Sequence, residues 1–425
     1  MISIFKDFLQ NKEIRKKILF TLVILFIYRL GSAIPAPGIN DTLITLSANS
    51  ILNMMSILGG GSIEQMSIFS LGVGPYITAS IIVQLLSMDI IPALSEMAKS
   101  GKKGRQQMDR ITRYMGVVLA LVQGYFIVQL LSSQYEMVDN PGFMSYAYIA
   151  LIFTAGTMFL LWLADQITTK GIGNGVSIII FAGIVAEMPT NLQLVYNTFI
   201  GENATSSFGV AGFVIYCLMF IAIIVLVVLM QMAERRIPIQ QSTSQRLNKS
   251  KGDLNHLPLK INSASVIPVI FASALIQGPQ IIASWVNTDA YNFLSNLCDF
   301  TNPWFLVFYA VLIILFTFFY TNLTVDPDKM AEDLGKQGQY IPGVRPGSET
   351  KEYVSKVLNR ITCLGAILLT FIALLPYVVS NLTGLSQRAA LGGTGIIIVV
   401  GVAMDTIKEL KGKLTTKQYK GFVGK

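Results

Sequence analysis

Residues 59–86 read GGGSIEQMSIFSLGVGPYITASIIVQLL. Three glycines lead into a half-polar stretch, and Gly72-Val73-Gly74-Pro75 then opens an uncharged, mostly apolar run over 75–88. A soluble amphipathic helix keeps one charged or polar face for water. This run has no charged face, and the same pattern returns along the chain.

Ten such runs fall near 18–35, 75–88, 114–133, 145–164, 172–188, 210–231, 263–284, 303–322, 360–379 and 389–405. Crossing hydrocarbon takes roughly 20 apolar residues in a helix. Composition agrees: the 425 residues are 52% hydrophobic and 13% charged, with mean hydropathy +0.58, against about 25% charged in an ordinary soluble domain. Strands of a membrane barrel alternate apolar and polar residues, whereas these runs are apolar on every side. The expected fold is an all-α polytopic membrane protein of ten transmembrane helices.

Charge sets the expected orientation, because Lys and Arg are retained on the cytoplasmic side of short loops. Of the 32 Lys and Arg, all but Arg29 and Arg388 precede the first span, lie in 89–113, 165–174, 232–262 or 323–360, or follow residue 405. The alternating loops near 36–62, 134–144, 189–209 and 285–302 hold none. Both termini are therefore expected in the cytoplasm, a parity that ten spans satisfy. The run after Lys16-Lys17 reads as the first membrane helix and not as a cleaved signal, since Arg29 interrupts it and nine further spans follow.

Catalysis has little to draw on. The single histidine, His256, sits in a basic loop, and a lone solvated imidazole is ordinary surface. Cys217, Cys298 and Cys363 are widely spaced and suggest neither a metal site nor a disulfide frame. Gly171-Ile172-Gly173-Asn174-Gly175 follows no strand and opens a membrane run, so it is no phosphate loop. No enzyme, cofactor or metal is expected. Ion-coupled transport would place carboxylates deep in spans; Glu64, Asp89, Asp165, Glu187 and Asp405 all read as span ends or half-polar segments.

Helix breakers stand at matching places in two sets of five spans: Gly72-x-Gly74-Pro75 in the second, Pro268 and Gly278-Pro279 in the seventh. Corresponding interruptions point to an inverted repeat with a functional path at its interface, dividing the chain into halves over 1–200 and 201–425. The two long loops, 232–262 and 323–360, carry six basic residues each, a composition suited to an acidic protein surface, ribosomal RNA or anionic lipid.

Eight stretches, in this order, carry a resemblance to a known family: TLVILFIYRLGSAIPAPGIN (21–40), SIFSLGVGPYITASIIVQLL (67–86), TRYMGVVLALVQGY (112–125), KGIGNGVSIIIFAGIVAEMP (170–189), ERRIPIQ (234–240), LPLKINSASVIPVIFAS (257–273), YIPGVRPG (340–347) and GGTGIIIVVGVAMDTIKEL (392–410). Nearly the whole chain resembles the SecY family, the channel subunits of the bacterial Sec translocon.

The resemblance implies a clamshell of two five-helix halves around an hourglass pore in the bacterial plasma membrane. It implies passage of unfolded preproteins, with signal sequences and transmembrane segments leaving sideways into lipid. A short re-entrant plug helix matches Ser62, Ile63, Glu64, Gln65, Met66, Ser67, Ile68, Phe69, Ser70 and Leu71. An aliphatic pore ring matches Val73, Ile77, Val176, Ile180, Ile270 and Ile398, and polar lateral-gate positions match Thr78, Gln123 and Asn262. Docking of the SecA motor and the ribosome matches Arg345 and the pair Arg235 and Arg236. SecE and SecG are the implied membrane partners. The chain departs from the family pattern at QSTSQRLNKSKGDLN (241–255), where many relatives carry a Tyr-Ala-Lys-Arg run, and at 59–66, where many carry an arginine.

Overall fold

The computed structural model describes residues 11–39, 56, 59, 62–63, 65–87, 91–135, 138, 141–201, 209–241, 256–286, 297–298, 300–383 and 387–423. They form twelve helices: α1 Lys12–Ser32, α2 Gly74–Leu86, α3 Pro92–Lys99, α4 Lys102–Tyr135, α5 Phe143–Lys170, α6 Gly175–Phe199, α7 Gly209–Met232, α8 Ile267–Val286, α9 Pro303–Thr324, α10 Pro327–Lys336, α11 Ser348–Thr383 and α12 Gln387–Val423. Four short strands, β1 Glu234–Pro238, β2 Gln240–Gln241, β3 His256–Lys260 and β4 Gln339–Tyr340, lie between them.

Among the described residues, six segments, in α4, α5, α6, α7, α9 and α11, are long and apolar enough to cross a membrane, while α2 and the first half of α8 are apolar but shorter. At 1.5 Å per residue the 13 residues of α2 reach about 20 Å, short of a hydrocarbon core of about 30 Å, whereas the 34 to 37 residues of α4, α11 and α12 reach about 50 Å. The long helices therefore run on past the apolar stretches read from the sequence.

Packing repeats. In the first five long helices α1 meets α5 and α6, α2 meets α4, α4 meets α5, and α5 meets α6. In the second five the same pairs recur: α7 meets α11 and α12, α8 meets α9, α9 meets α11, and α11 meets α12. The two sets touch through α2–α8, α4–α8, α6–α7 and α6–α12, and the largest apolar cluster fills the space among these helices.

Two of the expected interruptions turn out to be helix starts. Pro75 and Pro268 each stand second in their helix, where the missing N–H costs nothing and the fixed φ suits the first turn. Three residues before each proline the backbone is left-handed, at Gly72 (φ +55°) and Ser265 (φ +54°). Pro279 lies inside a continuous α8. The signals at Gly72 to Pro75 and at Pro268 thus mark helix starts, as the run opening at Pro75 implied, while Gly278-Pro279 breaks no helix.

On the side rich in Lys and Arg, β1 pairs antiparallel with β3, and β2 with β4 through Gln240–Tyr340 and Gln241–Gln339. The second pairing joins the two long loops to each other. Ile237, Ile239, Leu259, Leu334, Ile341 and Val354 form a small separate core beneath them, so the loops make one folded unit.

Asp326 begins α10 by accepting bonds from the N–H groups of Asp328 (3.1 Å) and Lys329 (3.3 Å). Its carboxyl is held below the usual range, first by the Lys329 side chain, whose Nζ lies 3.0 Å away. A depressed carboxylate stabilises the fold above its unfolded pKa, and the contribution is lost as pH falls through the folded value. Asp326→Ala should cost α10 about 1 kcal/mol, read as faster amide exchange confined to 327–336. The same loss should appear in the unsubstituted chain only in acid, below about pH 4.

Candidate functional site

The six aliphatic residues expected to form the ring come from both sets of helices and belong to one apolar cluster. Val73 caps α2 and Ile77 lies one turn on; Val176 and Ile180 are likewise one turn apart on α6; Ile270 is on α8 and Ile398 on α12. Val73, Ile180 and Ile398 are buried, and Ile77, Val176 and Ile270 are partly buried against the same cluster. The contributing helices correspond under the packing repeat, α2 with α8 and α6 with α12. A constriction built of such side chains would offer a passing chain no hydrogen bond, and a narrow apolar neck sheds water.

The segment ahead of α2 differs from expectation. Among the described residues 62–73 form turns and not a helix, with Ser67 in a single bridge to Pro35. Glu64 lies outside the described residues. Serines explain the local structure: Ser70 Oγ donates to the carbonyls of Ser67 (2.6 Å) and Ser62 (3.0 Å), and Phe69 N–H donates to Ser67 Oγ (3.3 Å). Such bonds compete with helical ones, and Met66 at φ +42° breaks the helical path outright.

The segment is nonetheless closely held. Ala36 N–H donates to Met66 O (2.9 Å) and Ile68 N–H to Ile34 O (3.1 Å). Two glycines make room for it: a Cβ on Gly156 of α5 would stand 2.1 Å from the Ile68 carbonyl oxygen, and one on Gly31 of α1 would stand 2.1 Å from the Phe69 ring. Phe69 stacks with Tyr28 and Phe159 at centroid distances of 6.2 and 6.1 Å. Tyr28 Oη donates to the Gly59 carbonyl (3.1 Å). Isolated glycines inside apolar helical runs are the sequence signal for such close approach, and it went unread.

Glu187 needs a second correction. α6 extends to Phe199, so this carboxylate lies mid-helix and only 4% exposed, not at a span end. It accepts a hydrogen bond from Ser56 Oγ at 3.3 Å, which ties the region before the turns to α6. Pro189 is accommodated inside the helix.

Thr78 bonds back to Gly74 O (3.2 Å) within α2, Gln123 is buried on α4, and Asn262 Nδ2 donates to Ser265 O (2.7 Å) at the left-handed turn before α8. Among the described residues no hydrogen bond joins the three to one another. Thr78 is on α2, Gln123 on α4 and Asn262 in the turn leading into α8, and the contacts of these three helices form one of the two seams between the sets.

Arg345 stands on a loop with left-handed turns at Gly343 (φ +83°) and Gly347 (φ +104°). Ile341 is buried beneath the loop, and Thr350 Oγ1 donates to Arg345 O (2.8 Å). The side chain is 87% exposed, with Glu349 Oε1 3.9 Å from its guanidinium. Arg236 pairs with Glu234 at 3.0 Å, while Arg235, next along β1, lines a cleft against α11. The basic pair is therefore split between two environments.

The family model for SecY matches residues 67–407. The protein translocase subunit SecY of Halalkalibacterium halodurans is 42% identical over 419 residues, 97% of each chain. That of Staphylococcus aureus is 42% identical over 435 residues, covering all of both chains. Among solved structures, a protein-conducting channel aligns over 93% of this chain and 91% of its own, with TM-score 0.64 and 18% identity. Sec61 in a canine ribosome–channel complex from the endoplasmic reticulum aligns over the same shares with TM-score 0.62 and 17% identity. A further neighbour, at TM-score 0.62 and 18% identity, is a SecY channel studied for a plug domain that stabilises its closed state.

Proposed function

The chain belongs to the SecY family, the channel subunits of protein translocase, and on that premise we propose how its residues divide the work. It is a multi-span membrane protein and a passive conduit, not an enzyme. Ten helices, α1, α2, α4 to α9, α11 and α12, span the bacterial plasma membrane as two inverted halves, 1–200 and 201–425, with both termini in the cytoplasm. The repeated packing supports this, since five spans per half reverse the second copy.

The convergence of Val73, Ile77, Val176, Ile180, Ile270 and Ile398 in one apolar cluster carries the reading. They form the ring through which an unfolded preprotein passes. At rest the ring is packed shut, and residues 62–71 seal it as the plug. Signal sequences and membrane segments leave between α2–α4 and α8–α9, where Thr78, Gln123 and Asn262 supply weak polar closure; interhelical hydrogen bonds in membranes average only about 0.6 kcal/mol. SecA and the ribosome supply the driving force at Arg345, Arg235 and Arg236, and SecE and SecG are the membrane partners.

Site-specific crosslinking tests the ring. A preprotein stalled in transit should label photoreactive residues placed at 77 and 270, whose side chains are partly exposed, and not residues on the outer face of α7. Labelling of neither ring position would remove the assignment.

A further inference from the structure

We propose that Glu187 is a positioning residue of the closed channel: through Ser56 it catches the root of the segment 62–71 and sets how readily that segment leaves the pore. An ionisable side chain within a membrane span is costly and points to a specific task. Glu187 lies inside α6 and is 4% exposed, and the ring, gate and docking roles leave it unused.

Val176, Ile180, Ile184, Glu187 and Asn191 follow one another on α6 at intervals of four, four, three and four residues, which places them on one helical face. Ile180, Ile184, Glu187 and Asn191 are all buried. The face turns from apolar to polar at Glu187, about 10 Å along the helix axis from Ile180. One helix thus carries two proposed ring residues and, in line with them, a buried carboxylate.

Single bonds from hydroxyl to acceptor lead from that carboxylate to the turns. Ser56, 1% exposed, donates from Oγ to Glu187 Oε1 (3.3 Å). Three residues on, the Gly59 carbonyl accepts from Tyr28 Oη of α1 (3.1 Å) and from Ser62 Oγ. The Ser62 carbonyl in turn accepts from Ser70 Oγ (3.0 Å). Ile68 and Phe69, just ahead of Ser70, belong to the apolar cluster of the proposed ring residues. The root is therefore pinned to α1 by Tyr28 and to α6 by Glu187, and the second pin sits on a helix that bears ring residues. An outward shift of α6, as a chain widens the ring, would strain the Ser56 bond and loosen the segment beyond it. Ring and plug would then open together.

This catch presupposes the ring and plug proposed above. Its test is the conductance of the full chain, co-purified with its membrane partners, in planar bilayers without preprotein. Glu187→Ala should raise resting conductance about fivefold, the effect of one net hydrogen bond. Ser56→Ala opens almost no space and should do the same; it decides the matter if the Glu187 variants fail to assemble. The double variant should leak no more than either single one, because both remove the same bond. Glu187→Leu fills the space without an acceptor and should leak as Glu187→Ala does, whereas a packing role predicts that it stays tight. Glu187→Gln keeps an acceptor and should remain within about twofold of the unsubstituted channel. Additive leaks, a tight Glu187→Leu or an unchanged conductance in Ser56→Ala would each overturn the catch. Deleting 62–69 separates the two proposals: a leaking deletion beside a tight Ser56→Ala removes the catch alone, and a tight deletion removes the seal and the catch with it.

Discussion

Removing residues 62–69 should raise resting ion conductance in planar bilayers by about tenfold or more, because an apolar neck blocks ions only while it stays narrow and dry. The removed stretch contributes Ile68 and Phe69 to the central cluster that contains the proposed ring residues, and Ile63 and Met66 to the cluster beside it. Fully burying a side chain such as Phe69 or Ile63 is worth about 1.5–3 kcal/mol, so the resting position is held firmly, yet by few enough groups for a preprotein to displace it. Gly156→Leu should give the same leak without a deletion. Its Cβ would meet the Ile68 carbonyl oxygen at 2.1 Å, and that residue cannot swing aside because its N–H is bonded to Ile34 O. If both variants leave conductance at the resting level, the segment is not a seal.

The fold was legible in the sequence where a pattern is physical and repeated. Uncharged runs long enough for hydrocarbon, and basic residues confined to alternate loops, need no tertiary information. The starts of α2 and α8 were visible as Gly72-to-Pro75 and Pro268, although a proline is the same signal whether it breaks a helix or opens one. The backbone at Ser265 tells the two apart, and no side-chain rule announces a serine at φ +54°. The turns at 62–73 were hidden for a related reason: serines at 62, 67 and 70 are compatible with helix until their side chains capture nearby backbone groups. Span limits taken from hydropathy alone ended α6 too early and so misplaced Glu187, which is buried at mid-helix. The proposed ring positions came from family resemblance, because singly Ile180 or Ile398 is an ordinary packed aliphatic. The pairing of β2 with β4 joins residues a hundred positions apart, and two-residue strands leave no periodicity to read.

Arg345→Glu should cut motor-driven export by more than about tenfold while leaving folding and membrane insertion intact. The side chain is 87% exposed and its nearest carboxylate, Glu349, is 3.9 Å away; an exposed pair of this kind contributes about 0–1 kcal/mol to stability. Ile341 stays buried and Thr350 keeps its bond to the residue 345 carbonyl, so the loop should keep its shape. Docking is another matter, since losing one partner of a desolvated charge pair costs about 2–5 kcal/mol in binding, and reversal adds repulsion. Glu349→Gln separates the two effects: it removes the intramolecular partner, leaves the guanidinium available, and should preserve export. Preprotein uptake into vesicles with purified motor, ribosome binding, and the thermal unfolding midpoint should be measured on the same preparations. Export and ribosome binding both unchanged in Arg345→Glu would take Arg345 out of the docking surface. A lowered unfolding midpoint would instead mark it as a residue that stabilises the joined loops.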